Sequence, residues 1–346
     1  MTLAERNRDV EFGIITTLAS TKQAVEMCRA ADAAGFHRVG VSDTAPKIYH
    51  ACYPAVTACL LQTERISVGP YVSNPVTRHW SVHGATARAF EEIAPGRFFL
   101  GMATGDGAVH SVGLRPCPLG KFEEYIRDLR TVMPERTNIP MAFSGIKGME
   151  VAGRLANELT IGTGLNVGAL RELARRARAS RSAAGVAAPL KIWASTAVYL
   201  AESESEVADL RRDVSGLASH GARFAFDFSF EGKNVPEKYH PIIRSGMMRY
   251  DFAYHGRFGD NPNGHLFDEH PDLKESLIDR FALIGTPERC AARLEATIRE
   301  AELDGVWLMP APRQPGPAGA RASLAAAADA FGHLIARSGA SREIAR

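Results

Sequence analysis

The sequence predicts an α/β fold: a (β/α)8 TIM barrel with an aromatic-rich insertion before the last strand. Three observations carry this. Short apolar runs alternate with longer stretches of helical period, the alternation repeats eight times over 346 residues, and no linker-like stretch divides the chain. A doubly wound open sheet would alternate in the same way, because a strand count does not show closure; eight units without a linker favour the barrel. A single domain over residues 1–346 is expected, with residues 225–280 as an insertion or lid.

The elements follow in order. Glu11–Leu18 (EFGIITTL) reads as the first strand. A helix over Thr21–Gly35 follows, with Ala24, Met27, Cys28 and Ala31 on one face, Thr21 as N-cap and Gly35 as its stop. Next come a strand at His37–Ser42, a helix at Tyr53–Gln62, a strand at Arg65–Val72 and a helix from Ser81 to Ile93. Pro95-Gly96 then punctuates before a fourth strand, Arg97–Ala103. Helices at Lys121–Met133, Lys147–Glu158 and Val167–Ala184 alternate with strands at Ile139–Phe143, Leu159–Gly162 and Leu190–Tyr199. Glu204–Leu217 is helical by pattern. The irregular segment Ala225–Arg280 holds nine aromatic residues in 56, about twice the density of the whole chain, and reads as a lid or pocket wall or as a surface insertion with its own small core. A helix at Pro287–Glu302, the eighth strand at Gly305–Met309 and a helix at Ala320–Ala336 complete the pattern.

Composition excludes several functions. With 41 basic against 39 acidic side chains, the net charge of +2 gives no long-range field for nucleic acid or an anionic membrane. No run of about 18 apolar residues exists to span a bilayer. The five cysteines (Cys28, Cys52, Cys59, Cys117, Cys290) are odd in number and unclustered, and the start of the chain lacks a signal-peptide pattern. Reduced thiols in a cytoplasmic protein are therefore expected.

In a barrel the chemistry belongs at the C-terminal strand ends. These read Thr16-Thr17, Ser42-Asp43-Thr44, Ser73-Asn74, Thr104-Gly105-Asp106-Gly107, Ser144-Gly145 and Gly162-Thr163-Gly164. Hydroxyls, amides and glycines suit a neutral polar ring and a phosphate held by backbone N–H groups. They suit a metal poorly. The first strand lacks the His-x-His of a barrel amidohydrolase, and His79 and His83, four apart, lack the Glu of an H-E-x-x-H motif. No G-x-S-x-G elbow is present, and Asp43 and Asp106 are the only strand-end carboxylates for a glycosidase. The glycine junctions at Ile161–Gly168 and Ser144–Gly148 could form a phosphate cradle or be plain helix starts. Neither matches the dinucleotide fingerprint.

The segments RISVGPYVSNPVTRHW (Arg65–Trp80) and PGRFFLGMATGDGAV (Pro95–Val109), with the string Gly145–Asn157, make the chain recognisable. It resembles the bacterial luciferase-like superfamily of flavin-dependent oxidoreductases, in particular the branch around methylenetetrahydromethanopterin reductase. The resemblance covers about Glu11–Tyr199 and Ile284–Pro310 and fades in the insertion. It implies a barrel binding FMN or the deazaflavin F420 at its mouth, with a non-prolyl cis peptide at Tyr71-Val72 supporting the ring. It also implies ring contacts from Asp43, Ser73, Asn74 and Thr104, and a phosphate near Ser144, Gly145, Gly162, Thr163 and Gly164. His79 would be a general base or a helix-start residue, and Asp106 a loop cap. The activity implied is a two-component monooxygenase, in which a separate reductase supplies FMNH2 and O2 oxygenates a small organic substrate, aromatic or heterocyclic if the insertion is a guide. Hydride transfer with F420 is the alternative, with Asp43 as a proton relay; its polyglutamyl tail would call on Arg78 and Lys147. A flavin-binding barrel without catalysis is a third reading. Relatives of this kind assemble as homodimers or homotetramers.

Overall fold

The structure is a computed structural model describing residues 10–16, 20–44, 51–254, 261–312 and 316–344. Parallel strands β1 (Glu11–Thr16), β2 (Arg38–Val41), β3 (Ser67–Pro70), β4 (Met141–Phe143), β5 (Glu158–Ile161), β6 (Lys191–Leu200), β7 (Ala282–Gly285) and β8 (Gly305–Pro310) form one sheet. Along it the order is β3-β2-β1-β8-β6-β5-β4, with β7 beside β6. The segment predicted as a fourth strand, Arg97–Ala103, forms no ladder. It makes single bridges instead, Val68 to Phe98 and Ser73 to Met102 on one side, Phe99 to Asn138 and Met102 to Met141 on the other. That segment joins the two free edges, β3 and β4, and closes the ring.

One strand was not foreseen. β7 runs directly out of a helix, Pro271–Phe281, with no turn residue between Phe281 and Ala282, so the sequence carries no punctuation there. β6 is ten residues long; its first half pairs with β5 and its last four residues with β7, while β8 lies along its other side. The eight segments read as strands from sequence thus form the ring, and β7 extends it towards the mouth.

The outer layer contains α1 (Thr21–Ala33), α2 (Cys52–Leu61), α3 (Trp80–Ile93), the short α4 (Gly107–His110), α5 (Leu119–Arg130), α6 (Ile146–Leu155) and α7 (Val167–Ala183). Ser20 rather than Thr21 caps α1, its hydroxyl accepting from Gln23 N–H at 3.0 Å. α6 and α7 pack closely because Gly153 leaves room: a Cβ there would lie 2.2 Å from the carbonyl oxygen of Ala177. Arg181 of α7, 5% exposed, donates to the carbonyls of Gly153 and Ala156 and so closes the end of α6. The Gly145–Asn157 string thus has a packing reason at Gly153.

The helix predicted over Glu204–Leu217 breaks at the buried Val214 into α8 (Glu204–Asp213) and α9 (Ser215–Phe226). The insertion is more regular than its composition suggests. It contains α10 (His240–Met248) and α11 (Pro271–Phe281), with single 3-10 turns between. Ala218, Ala222, Phe226, Ile243, Phe267 and Leu277 form a second core there. α12 (Pro287–Ala301) and α13 (Pro317–Ile344) return to the barrel. Among the described residues no helix is long and apolar enough to cross a membrane.

Inside the ring, Phe99, Trp193 and Trp307 form a separate aromatic layer, with the Tyr71 ring tilted against Trp307 at 4.3 Å between centres. Two glycines admit the indoles: a Cβ at Gly13 would lie 2.4 Å from Trp307, and one at Gly305 2.3 Å from Trp193. Below, at the N-terminal strand ends, Arg38 donates to Glu11 at 2.9 Å and to Glu158 at 2.8 Å, while Lys191 reaches Glu11 at 2.9 Å. The Arg38 guanidinium lies 4.8 Å from the Trp193 ring. This closes the barrel floor.

Candidate active site

At the opposite end, the strand termini bring together residues separated in the chain. β2 ends at Val41 and delivers Asp43, which is 5% exposed. β3 ends at Pro70, the Tyr71-Val72 peptide is cis, and the chain then bulges so that Ser73 pairs with the closing segment. Ser73 N–H donates to Gly101, and Ala103 N–H to Ser73, at 2.8 and 3.0 Å. The next residue shapes its own turn: Asn74 Oδ1 accepts from Val76 and Thr77 N–H, both at 3.0 Å. That turn carries Arg78 back over the mouth and sets the start of α3.

Asp43 is the hub. Arg78 grips it with two nitrogens, Nη2 at 3.0 Å from Oδ1 and Nη1 on Oδ2, and the Ser73 hydroxyl donates to Oδ2 at 2.7 Å. Despite the burial of Arg78, Asp43 holds its guanidinium pKa up. The guanidinium stacks 4.8 Å from the Tyr53 ring. Arg78 is therefore a carboxylate partner rather than a residue free to meet a polyanionic tail.

The two histidines of α3 separate. His79 is the N-cap residue; its Nδ1 accepts from Ser81 N–H at 3.3 Å, and its ring lies against Trp80. It takes the helix-start role and makes no contact with Asp43 or Ser73 among its described bonds. His83, one turn on, is fully buried, with Nε2 3.2 Å from Ser73 Oγ and Nδ1 2.7 Å from the Tyr125 hydroxyl. Burial, helped by Arg78, lowers its pKa from 6.5 to about 4, so the ring is neutral near pH 7. Sequence reading had no means to choose His83 over His79, since both fit the same helical spacing. Tyr125 lies on the buried face of α5 with Phe122, Ile126 and Leu129, far from any strand end that would mark it in the sequence.

Buried polar atoms without a hydrogen-bond partner near this end include Asn74 Nδ2, Thr163 Oγ1, Tyr53 Oη and Tyr199 Oη. Thr104 is half-buried in the loop after Met102 and Ala103, and its carbonyl accepts from Cys117 N–H at 2.8 Å. A Cβ at Gly105 would lie 3.4 Å from that of Asn74, which places this loop against the β3 bulge. Asp106 does not cap α4 through its side chain. It pairs with Arg223 of α9 at 3.4 Å and with His110 at 3.6 Å, tying barrel and insertion together.

The glycine junctions differ from one another. Gly145 starts α6 without a side-chain cap, and a Cβ there would meet open space. The neighbouring Ser144 hydroxyl donates to the carbonyl of Phe224 at 3.0 Å. The Gly162-Thr163-Gly164 turn is covered instead. Phe224 lies over Gly162, Arg280 Nε donates to the Thr163 carbonyl at 2.7 Å, and the Arg280 carbonyl abuts Gly164. Of the first strand end, Thr16 is buried and Thr17 lies outside the described residues. Among the described residues no group of three or more His, Cys, Asp or Glu side chains could hold a metal ion.

Known proteins share this architecture. The chain is similar to the coenzyme F420-dependent tetrahydromethanopterin reductase of Methanopyrus kandleri, with a TM-score of 0.70 at 18% identity over 92% of this chain and 97% of that one. An F420-dependent secondary alcohol dehydrogenase, solved with an F420-acetone adduct, gives 0.66 at 13% identity over 95% and 99%. The EDTA monooxygenase of Chelativorans sp. BNC1 gives 0.66 at 12% identity over 94% of each chain. At such identities these likenesses show the fold. The sequence itself matches the family described as luciferase-like monooxygenase over residues 10–305, which is most of its length. The chain belongs to the luciferase-like monooxygenase family of oxidoreductases.

Proposed function

We propose that the protein is the oxygenase of a two-component system, using reduced FMN from a separate reductase and O2 to oxygenate a small organic substrate. The observation that carries this is the unpartnered amide nitrogen of Asn74, buried beside the Asp43–Ser73 pair at the C-terminal ends of β2 and β3. A buried donor without an acceptor costs about 1–3 kcal/mol, which a polar ring edge placed there would recover. Asn74, with the hydroxyls of Ser73 and Thr104, would hold that edge, and Tyr71 and Val72 would lie beneath the ring. Ser144, Gly145 and the uncapped start of α6 would hold the phosphate, joined by the exposed Lys147. The covered Gly162-Thr163-Gly164 turn would contribute through Thr163, whose hydroxyl is free.

FMN is favoured over F420 by the charges at the phosphate end. Arg223 is committed to Asp106 and Asp227, Arg280 to the carbonyls of Thr163 and Lys233, and the Lys233 ammonium to those of Ala225 and Ser229. Lys147 and one helix N-terminus suit a single phosphate better than a polyanionic tail.

Bound reduced FMN would supply two electrons to O2, one oxygen atom passing to the substrate and the other leaving as water. The chain's own part is to place and protect. Arg78 keeps the Asp43 carboxylate fixed, Ser73 presents a hydroxyl between carboxylate and imidazole, and the insertion excludes water from above. Phe224 and Phe252, both partly exposed, offer aromatic faces to a flat substrate, with the Arg223 guanidinium 5.1 Å from the Phe252 ring.

Anaerobic titration of the purified protein with FMNH2, and separately with reduced F420, tests the reading. Tight binding of FMNH2, followed by a spectral change when air is admitted, is the expected result. Binding of reduced F420 alone would replace oxygenation by hydride transfer, and binding of neither would remove the cofactor from this account.

A further inference from the structure

Around His83 there are more hydrogen-bond contacts than protons to serve them at one time. The Ser73 hydroxyl lies 2.7 Å from Asp43 Oδ2 and 3.2 Å from His83 Nε2. The Tyr125 hydroxyl lies 2.7 Å from His83 Nδ1 and 2.9 Å from the Arg78 carbonyl. Each hydroxyl has one proton, and a neutral imidazole has one N–H.

Two arrangements serve the inner contacts and leave no proton of the chain unused. In the first, Asp43 is ionised, Ser73 donates to it, His83 Nε2–H donates to Ser73, and Tyr125 donates to Nδ1. In the second, Asp43 carries a proton and donates to Ser73, Ser73 donates to Nε2, Nδ1–H donates to Tyr125, and Tyr125 donates to the Arg78 carbonyl. The two differ by one proton. If an acid in the solvent gives a proton to the Tyr125 oxygen and leaves as its conjugate base, the Tyr125 proton passes to Nδ1, the Nε2 proton to Ser73 and the Ser73 proton to Asp43. No other bond changes. The Tyr125–Arg78 contact, idle in the first arrangement, is used in the second.

We propose that Tyr125, His83 and Ser73 form a proton relay ending on Asp43, so that the protonation of Asp43 and the tautomer of His83 change together. The proposal rests on the reading above that this end of the barrel is the reaction centre, where Asp43 would pass its proton to a bound group. The relay returns to its first arrangement by the reverse shift, or by exchange of the imidazole proton between its nitrogens after Asp43 has given its proton up. His83 and Tyr125 act through Ser73 and are positioning residues.

The surroundings suit the task. The groups facing the ring are Asp43 after β2, Arg78 before α3, Tyr125 on α5 and Tyr53 on α2, whose ring centre is 6.0 Å away. Cys52 adjoins Asp43 and Arg78, and Cys117 adjoins Tyr125; burial raises both thiols. With its pKa lowered to about 4, His83 passes protons as a neutral ring instead of storing them as imidazolium.

The test is 15N NMR of histidine-labelled full-length protein at pH 7, with the His83 signals assigned by their loss in His83→Gln. Asp43→Asn presents a neutral donor to Ser73 and mimics the protonated acid without a change of pH. Wild type is expected to show Nε2–H, and Asp43→Asn to show Nδ1–H. Ser73→Ala, which removes the acceptor holding the proton on Nε2, serves as a second variant and should also move the tautomer to Nδ1–H. The same tautomer in wild type and both variants, Nδ1–H in wild type, or an imidazolium in any of them would overturn the relay. The readout needs no cofactor, so it fails or succeeds independently of the FMN titration.

Discussion

The two ends of the barrel each carry an arginine bound to buried carboxylate, Arg38 itself buried and Arg78 half-buried, and they are built to opposite purposes. At the floor, Arg38 has Glu11 and Glu158 as partners, Lys191 joins from β6, and Trp193 covers the guanidinium. At the mouth, Arg78 shares one carboxylate with a hydroxyl, which leads on to an imidazole and a phenol, and Asn74 close by has a donor to spare. The lesson is that an ion pair alone does not mark an active site. What distinguishes the mouth is the chain of hydroxyl, imidazole and phenol groups that leads away from its carboxylate.

This contrast can be broken experimentally, and the largest effect belongs to the floor. Arg38→Met should cost roughly 3–5 kcal/mol in chemical denaturation, because it leaves the buried Glu158 without its counter-charge and Glu11 with Lys191 alone. Replacing Glu11, Arg38 and Glu158 together by apolar residues of similar volume should come much closer to wild type, which would show that the cluster is a matter of mutual satisfaction. Next in size, Asp43→Asn at the mouth should lower turnover about 100-fold or more while the unfolding midpoint moves little, as for loss of a proton-transfer group. A steady-state assay beside a thermal melt separates the two effects.

His83 gives the mouth a pH dependence of its own. Its folded pKa of about 4 lies below the ordinary 6.5, so the unfolded chain binds the proton first as pH falls. The native state should therefore be most stable with respect to this group above pH 6.5 and lose that advantage as pH drops towards 4. The loss is on the order of 3 kcal/mol. Denaturation of His83→Gln across the same window should give a flatter profile, and an unchanged slope would contradict the assignment. The smallest effect is expected on the outer surface. Glu204→Ala removes the exposed pair with Arg289 and should change stability by less than about 1 kcal/mol.

Much of this was legible in the sequence because strands and helices alternate with clear punctuation. Asp43, Ser73 and Asn74 could be singled out because polar residues follow apolar runs at the ends of β2 and β3. Other features depend on contacts between distant segments. β7 is hidden because Phe281 and Ala282 join a helix to a strand without a turn residue. Arg97–Ala103 reads as a strand by its apolar run, yet it makes only single bridges as it closes the ring. Arg78 reads as a candidate partner for a polyanionic tail until the Asn74 turn folds it onto Asp43. His79 and His83 are equivalent by spacing, and only the packing of α5 against α3 gives His83 its partner in Tyr125.

The mouth, through Asn74 and its neighbours, is proposed to hold a reduced flavin, and the floor takes no part in binding it. The most direct measurement is anaerobic FMNH2 titration of wild type, Asn74→Ala and Lys191→Met side by side. Lys191→Met should bind as wild type, and Asn74→Ala about tenfold or more weakly, the worth of one buried hydrogen bond. Wild-type affinity in Asn74→Ala, or equal weakening in both variants, would contradict the claim.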